Sequence, residues 1–195
     1  KTAIITHGIT WSMYGSVKYI DMFRKRGWNV LLWDVRHHGR SGGPDSTFGL
    51  TEQYDSKAVA DWAFARLGEG GQVGIHGESL GASLSLMHAG IDPRLAWVIA
   101  DCPYSSMEGI LAYHMKKDYH LPRFPMLAVA SLFFRLKNGA GFEDVDMRKA
   151  VAGTKMPIFF IHGVNDAFTP PAMSLEPNGP STLPVDPVPS PRGWR

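Results

Sequence analysis

The sequence predicts an α/β protein, a mostly parallel sheet with helices on both of its faces. Three observations carry that expectation. Short β-rich apolar runs alternate with helical stretches along the chain. The runs are apolar almost throughout rather than at every second residue, which is the pattern of strands covered on both sides. One of them, residues 72–76, leads into Gly77-Glu78-Ser79-Leu80-Gly81 and then into a helix-forming stretch. That order reads as strand, tight turn and helix.

Each element follows from its local pattern. Residues 2–6, Thr-Ala-Ile-Ile-Thr, form a short buried-type strand. Residues 16–26 have helical spacing, with Val17, Ile20, Met22 and Phe23 apolar. Residues 28–35 form a second strand. Residues 52–67 form an amphipathic helix that turns Ala58, Val59, Trp62, Ala63 and Leu67 toward the core. Residues 72–76 are a third strand, 79–89 a helix, 95–100 a fourth strand and 156–162 a fifth. No internal repeat is visible.

Two regions break this rhythm. Between Tyr104 and Lys155 lies a long helical excursion rich in aromatic and basic residues, interrupted by Pro122 and Pro125. Residues 104–150 are expected to form a small lid, with Tyr113, His114, Phe133 and Phe134 as candidates for covering a substrate. The competing reading is an extra set of packing helices. The end of the chain crowds Pro177, Pro180, Pro184, Pro187, Pro189 and Pro191 together without apolar periodicity. The fold is therefore expected to occupy residues 1–174, with 175–195 a disordered tail outside it.

Bulk composition narrows the function classes. The 195 residues suffice for one domain with a sizeable core. Formal net charge is +2 with scattered basic residues, so no nucleic-acid face is expected. The longest apolar run, residues 126–134, falls short of the roughly 20 residues that a membrane-spanning helix needs. The single cysteine, Cys102, has no intrachain disulfide partner, which points to a reducing, cytoplasmic setting. The chain starts at Lys1 and runs straight into a strand, so a signal or anchor upstream is left open. No ligand spacing such as H-E-x-x-H and no phosphate loop is present, so neither metal nor cofactor is expected. Oligomeric state is not legible.

The chemistry centres on Ser79. Glycines flank it because a nucleophile on a sharp strand-to-helix turn leaves no room for neighbouring side chains. The turn exposes the hydroxyl at a helix N-terminus, where developing negative charge is favoured. The competing reading is a glycine-rich turn in which Ser79 only caps the helix. A nucleophilic serine needs oxyanion donors and an acid. His7-Gly8-Ile9, at the end of the first strand, aims the Ile9 N–H at the pocket beside that of Leu80. Asp166, in Ile161-His162-Gly163-Val164-Asn165-Asp166, lies past the C-terminal end of the last strand.

Four blocks now stand in order: Thr6-His7-Gly8, residues 34–41 (Asp-Val-Arg-His-His-Gly-Arg-Ser), residues 77–81 and residues 161–166. Over residues 2–174 the chain resembles an α/β-hydrolase of the serine-aminopeptidase, prolyl-oligopeptidase-like and monoacylglycerol-lipase-like group. The resemblance implies Ser79 as nucleophile, Asp166 as triad acid, and Ile9 and Leu80 as oxyanion donors. It implies a structural role for residues 34–41, with Arg36 and Asp34 expected to pair. It also implies a base that follows the acid, and none of the eight histidines does. His76 and His162 read as packing positions, His7 as part of the oxyanion turn and His88 as a helix residue. His37, His38, His114 and His120 are the alternatives for approaching the pocket. Asp101 is the alternative acid, and Cys102 reads as a buried small residue. The expectation is a fragment of a longer hydrolase, lacking N-terminal strands and the C-terminal histidine segment, with little turnover of its own. The implied partner is a small-molecule or peptide-like acyl substrate, cleaved at an ester, thioester or peptide-like bond. A non-catalytic binding protein, an acyltransferase and a perhydrolase on the same fold are the alternatives.

Overall fold

The computed structural model describes residues 1–175, so the proline-rich tail expected from about Leu175 lies outside the described residues from position 176 onward. Five strands form one parallel sheet: β1 (Thr2–Thr6), β2 (Asn29–Trp33), β3 (Val73–Glu78), β4 (Trp97–Asp101) and β5 (Ile158–Ile161), in the order β2-β1-β3-β4-β5. The α/β class is thus the one the alternating pattern predicts. Strand β3 runs two residues beyond the expected end, straight into the glycine-flanked turn.

The register sorts the two faces. Ile4, Ile75, Val98 and Ile158 share one row and belong to the main core. That face is covered by α2 (Glu52–Leu67) and α3 (Leu80–Ala89). Ile5 and Ile99 lie on the opposite face, against Phe23 of the short helix α1 (Ile20–Arg24). The helix expected over 16–26 is realised as a 3-10 turn over Met13–Tyr19 followed by α1, and Val17 is exposed.

His76 occupies the middle of the Ile5 row. It is fully buried, with its ring 4.1 Å from that of Tyr19 and 5.9 Å from that of Phe23. Among the described residues neither ring nitrogen has a hydrogen-bond partner. Burial pushes its pKa from the usual 6.5 down to about 4. The fold therefore accepts the neutral ring, while the unfolded chain takes its proton at the higher pH. Stability from this residue is complete above pH 6.5 and drains as pH falls toward 4, by about 1.4 kcal/mol per unit. His76→Leu is expected to raise stability by about 1 kcal/mol at neutral pH, because it removes an unpaired buried polar group. It should also flatten the acid slope. Urea melts at about pH 7 and about pH 5 check both effects, and equal slopes in the two proteins would refute this account.

Helix α2 corrects one expectation. Its buried residues are Glu52, Gln53, Ser56, Ala60 and Ala63, whereas Ala58 and Trp62 face outward. Small side chains at 56, 60 and 63 let α2 lie close to α3, where Ser56 Oγ sits 2.9 Å from His88 Nδ1. Trp62 instead receives the Arg66 guanidinium at 3.5 Å from its ring centre.

The excursion after β4 contains α4 (Met107–Tyr119), α5 (Met126–Asn138) and α6 (Met147–Val151), and α7 (Ala172–Leu175) ends the described chain. Ser106 caps α4 by accepting the Gly109 N–H. Phe142, Met147 and Val151 are buried in the main core, where α6 packs against α3. Among the described residues no helix is long and apolar enough to cross a membrane.

Candidate active site

The sheet order creates the site. From β1 the chain first moves one way to β2 and then the other way to β3, so the loops leaving β1 and β3 diverge and open a crevice at the sheet's C-terminal edge. Gly8 and Ile9 follow β1, and Ser79 follows β3. Ser79 has φ 55° and ψ −114°, a region that non-glycine residues occupy only under constraint. Its N–H donates to the Asp101 carbonyl oxygen at 2.7 Å, which pins the turn to β4. Its hydroxyl makes no capping bond to α3, although Ser79 stands at the N-cap position. A Cβ added to Gly8 would lie 3.4 Å from Ser79 Cβ, so the two turns are in direct contact. Among the described residues, neither the Ile9 N–H nor the Leu80 N–H has an acceptor.

His7 holds the first turn. Its Nδ1 lies 2.8 Å from the Gly8 carbonyl oxygen, and its Nε2 accepts the Val35 N–H at 3.0 Å. A ring that donates from Nδ1 and accepts at Nε2 is neutral, and burial lowers its pKa accordingly. His7 thereby ties the turn after β1 to the loop after β2.

In that loop the expected Arg36–Asp34 pair does not form. Arg36 reaches α2 instead and binds Asp55 at 2.5 and 2.8 Å. The Asp34 carboxylate turns inward and accepts the N–H groups of Met13 at 2.7 Å and Arg40 at 2.9 Å. These amides supply what an ion pair was expected to supply. They outweigh the burial that opposes ionisation and hold the Asp34 pKa below its usual value.

Asp166 lies in the loop after β5. Its Oδ1 accepts the N–H groups of Phe168 at 2.8 Å and Thr169 at 2.9 Å, and its Oδ2 is 3.5 Å from His162 Nε2. Burial works to raise its pKa, but His162 and the two amides prevail and lower it, so the side chain is an ionised carboxylate. Helix α4 clasps this loop. The Tyr113 hydroxyl donates to the Ala167 carbonyl at 2.9 Å, Lys117 donates to the same oxygen, and the His114 ring lies 4.6 Å from Phe168. Of the four side chains expected on a lid, Tyr113 and His114 therefore meet the Asp166 loop. Phe133 is exposed and Phe134 packs 5.2 Å from Phe142, so these two do not join them.

Asp101, the alternative acid, points to the other face of the sheet. It accepts the Tyr19 hydroxyl at 2.9 Å and the Cys102 thiol at 3.3 Å, and burial raises its pKa. Beside it in register, Glu78 accepts Lys18 at 2.8 Å. Lys18 and Tyr19 are the neighbours of the elbow that sequence reasoning missed. They sit at the end of the 3-10 turn, where helical spacing gives no cue.

Among the described residues no histidine forms a hydrogen bond with Ser79. His7, His88 and His162 are buried among partners of their own, with His88 bound to Ser56 and Asp92 and His162 to Ser174 and Thr169. His37 and His38 face the Gly43 and Arg36 carbonyls, and His114 binds Asp118. His120 closes α4 in a left-handed conformation, and His76 is sealed beneath the sheet.

The family model described as X-Pro dipeptidyl-peptidase (S15 family) matches residues 6–128, a span that holds both turns of the crevice. The chain belongs to the S15 family. This S15-family chain is an α/β-hydrolase by fold and a hydrolase by family. It is 36% identical over 172 residues to the uncharacterized protein YqkD of Bacillus subtilis, covering 87% of this chain and 56% of that protein. It is 34% identical over 84 residues to the thiohydrolase apmlB of Arthrinium phaeospermum, covering 42% of this chain and 27% of that protein. Its structure matches the Pyrococcus furiosus esterase Pf2001 with a TM-score of 0.73 and 26% identity, over 97% of this chain and 74% of that one. The S15-family chain thus spans about half, or less, of the curated relatives it matches.

Proposed function

We propose that this chain carries the nucleophile, oxyanion donors and acid of a serine hydrolase acting on an ester, thioester or peptide-like bond. The observation that carries the reading is Ser79, held at a positive φ against Gly8, beside two N–H groups with no acceptor. Ser79 Oγ attacks the carbonyl carbon, and the Ile9 and Leu80 N–H groups bind the oxygen as its charge develops. Asp166 is ionised and partly exposed, and it orients the base. No histidine follows Asp166 in the sequence, and none is bonded to Ser79 among the described residues. The esterase and thiohydrolase names among the relatives point to an oxygen or sulfur ester and the dipeptidyl-peptidase name of the family to an amide, so all three bonds stay within the reading.

Loss of a triad member costs on the order of 10⁴-fold or more in rate, so the chain alone is expected to react slowly. Labelling by a fluorophosphonate probe, with and without added imidazole, tests this against Ser79→Ala. The expected result is weak labelling that rises with imidazole and is lost in the variant. Labelling retained in Ser79→Ala would refute the nucleophile. Fast labelling indifferent to imidazole would place the base among the eight histidines. A folded chain that never labels would favour the second reading, a non-catalytic binding protein. The absence of a histidine bonded to Ser79 is the observation behind that alternative.

A further inference from the structure

We propose that Cys102, His162 and Asp166 form a binding site for a divalent cation of the zinc class, set against the acid loop. The site is built by adjacent strand ends. Strands β4 and β5 pair through Asp101 and Ile161, and the Cys102 N–H donates to the Ile161 carbonyl at 2.8 Å. The next residues on each strand, Cys102 and His162, are therefore side by side. Asp166 returns to them from the loop. One sulfur, one ring nitrogen and one carboxylate oxygen all lie within 4.8 Å of one another. Thiolate, imidazole and carboxylate together are the donor set that zinc takes. The sequence conceals the set because Cys102 lies far from the other two, so no ligand spacing appears.

The second observation is the surroundings of His162. The ring is buried, with Nδ1 hydrogen-bonded to the Ser174 hydroxyl and Nε2 2.7 Å from the Thr169 carbonyl oxygen. Asp166 Oδ2 stands 3.5 Å from the same Nε2. One N–H proton is thus surrounded by a carbonyl and a carboxylate, with the Cys102 sulfur nearby. A cation answers that crowding better than a proton does, since each of the three oxygen, nitrogen and sulfur atoms can then donate to it. For the cation to enter, the imidazole proton moves to Nδ1, where Ser174 Oγ accepts it and holds the tautomer. The thiol proton leaves to solvent, and the sulfur binds as thiolate. The atoms must close by about 1 Å to reach metal–ligand distances of about 2.0–2.3 Å. The Thr169 carbonyl or a water completes four ligands. Cys102 and Asp166 are both partly exposed, which gives the ion a way in.

The consequence rests on the proposed function. Asp166 Oδ1 keeps its two backbone N–H groups, but Oδ2 becomes a metal ligand and can no longer accept the N–H hydrogen bond by which it would orient the base. The site would therefore act as a reversible off-switch on the hydrolase.

Cobalt(II) titration of this chain tests the binding itself, because a sulfur-to-cobalt charge-transfer band reports thiolate ligation directly. One equivalent should produce the band, and zinc should abolish it. Cys102→Ser should remove the band, and Asp166→Asn should weaken binding by about tenfold or more. Circular dichroism on both variants confirms that they remain folded. Ser79→Ala should leave the titration unchanged, so failure of the hydrolase reading is told apart from failure of this one. No charge-transfer band in the folded parent, or a band that survives Asp166→Asn at full affinity, would overturn the site.

Discussion

Gly81→Ala is expected to cost about 4 kcal/mol of stability and to remove any reactivity of Ser79. In an ordinary helix the same change is favourable by up to about 1 kcal/mol, because alanine gives up less backbone freedom. The sign reverses here because of what the new methyl group meets. It would lie 2.3 Å from the Thr6 carbonyl oxygen and 2.6 Å from that of His7. Both are backbone atoms of the fully buried β1 and its turn, and neither can swing aside as a side-chain tip does. Relief requires α3 to move off β1, which carries Leu80 away from Ile9 and separates the two N–H groups. Gly153→Ala is the control, since nothing lies within 4 Å of its added Cβ. Thermal midpoints and fluorophosphonate labelling of both variants are the measurement. A Gly81→Ala protein as stable as its parent would mean that the elbow is looser than its geometry.

The elbow was legible because its physics is local. A serine between two glycines, after an apolar run and before helix formers, has few other folded solutions. Strand β1 was equally plain, since five apolar or β-branched residues in a row have one use in this alternation. What the sequence hid is settled by tertiary partners. The Asp34 carboxylate looked like half of an ion pair, but backbone amides of residues 13 and 40 had prior claim on it. Helix α2 looked apolar on the Trp62 side, yet it buries the side bearing Glu52 and Ser56. Hydropathy counts such residues as solvent-facing because it cannot see the hydrogen bonds that await them. Phe133 and Phe134, paired in the sequence reading, part company for a related reason. Adjacent residues on a helix point about 100° apart, so one packs against Phe142 while the other faces water.

Glu52→Ala is the other large effect, expected at about 4 kcal/mol, and it acts at a distance from Ser79. Glu52 is fully buried at the start of α2. Its carboxylate accepts the Ser46 hydroxyl at 2.9 Å, the Thr47 N–H at 2.6 Å, the Thr47 hydroxyl at 2.5 Å and the Gly49 N–H at 3.0 Å. Alanine would leave two backbone donors and two hydroxyls without that acceptor, and each buried orphan costs roughly 1–3 kcal/mol. The damage should spread along a defined route. The same loop presents the Phe48 carbonyl to the Tyr104 hydroxyl at 3.0 Å, and the Tyr104 N–H donates to Ser83 Oγ at 3.0 Å on α3. Loosening residues 46–49 thus reaches the first turn of the helix that opens at Leu80. Glu52→Gln keeps the shape and one acceptor but turns an NH₂ group toward existing donors, so it should fall between parent and alanine. Hydrogen exchange separates local from global loss: protection of the amides at 47, 49 and 104 should drop most. A stable Glu52→Ala protein with those amides still protected would show that water replaces the carboxylate without cost.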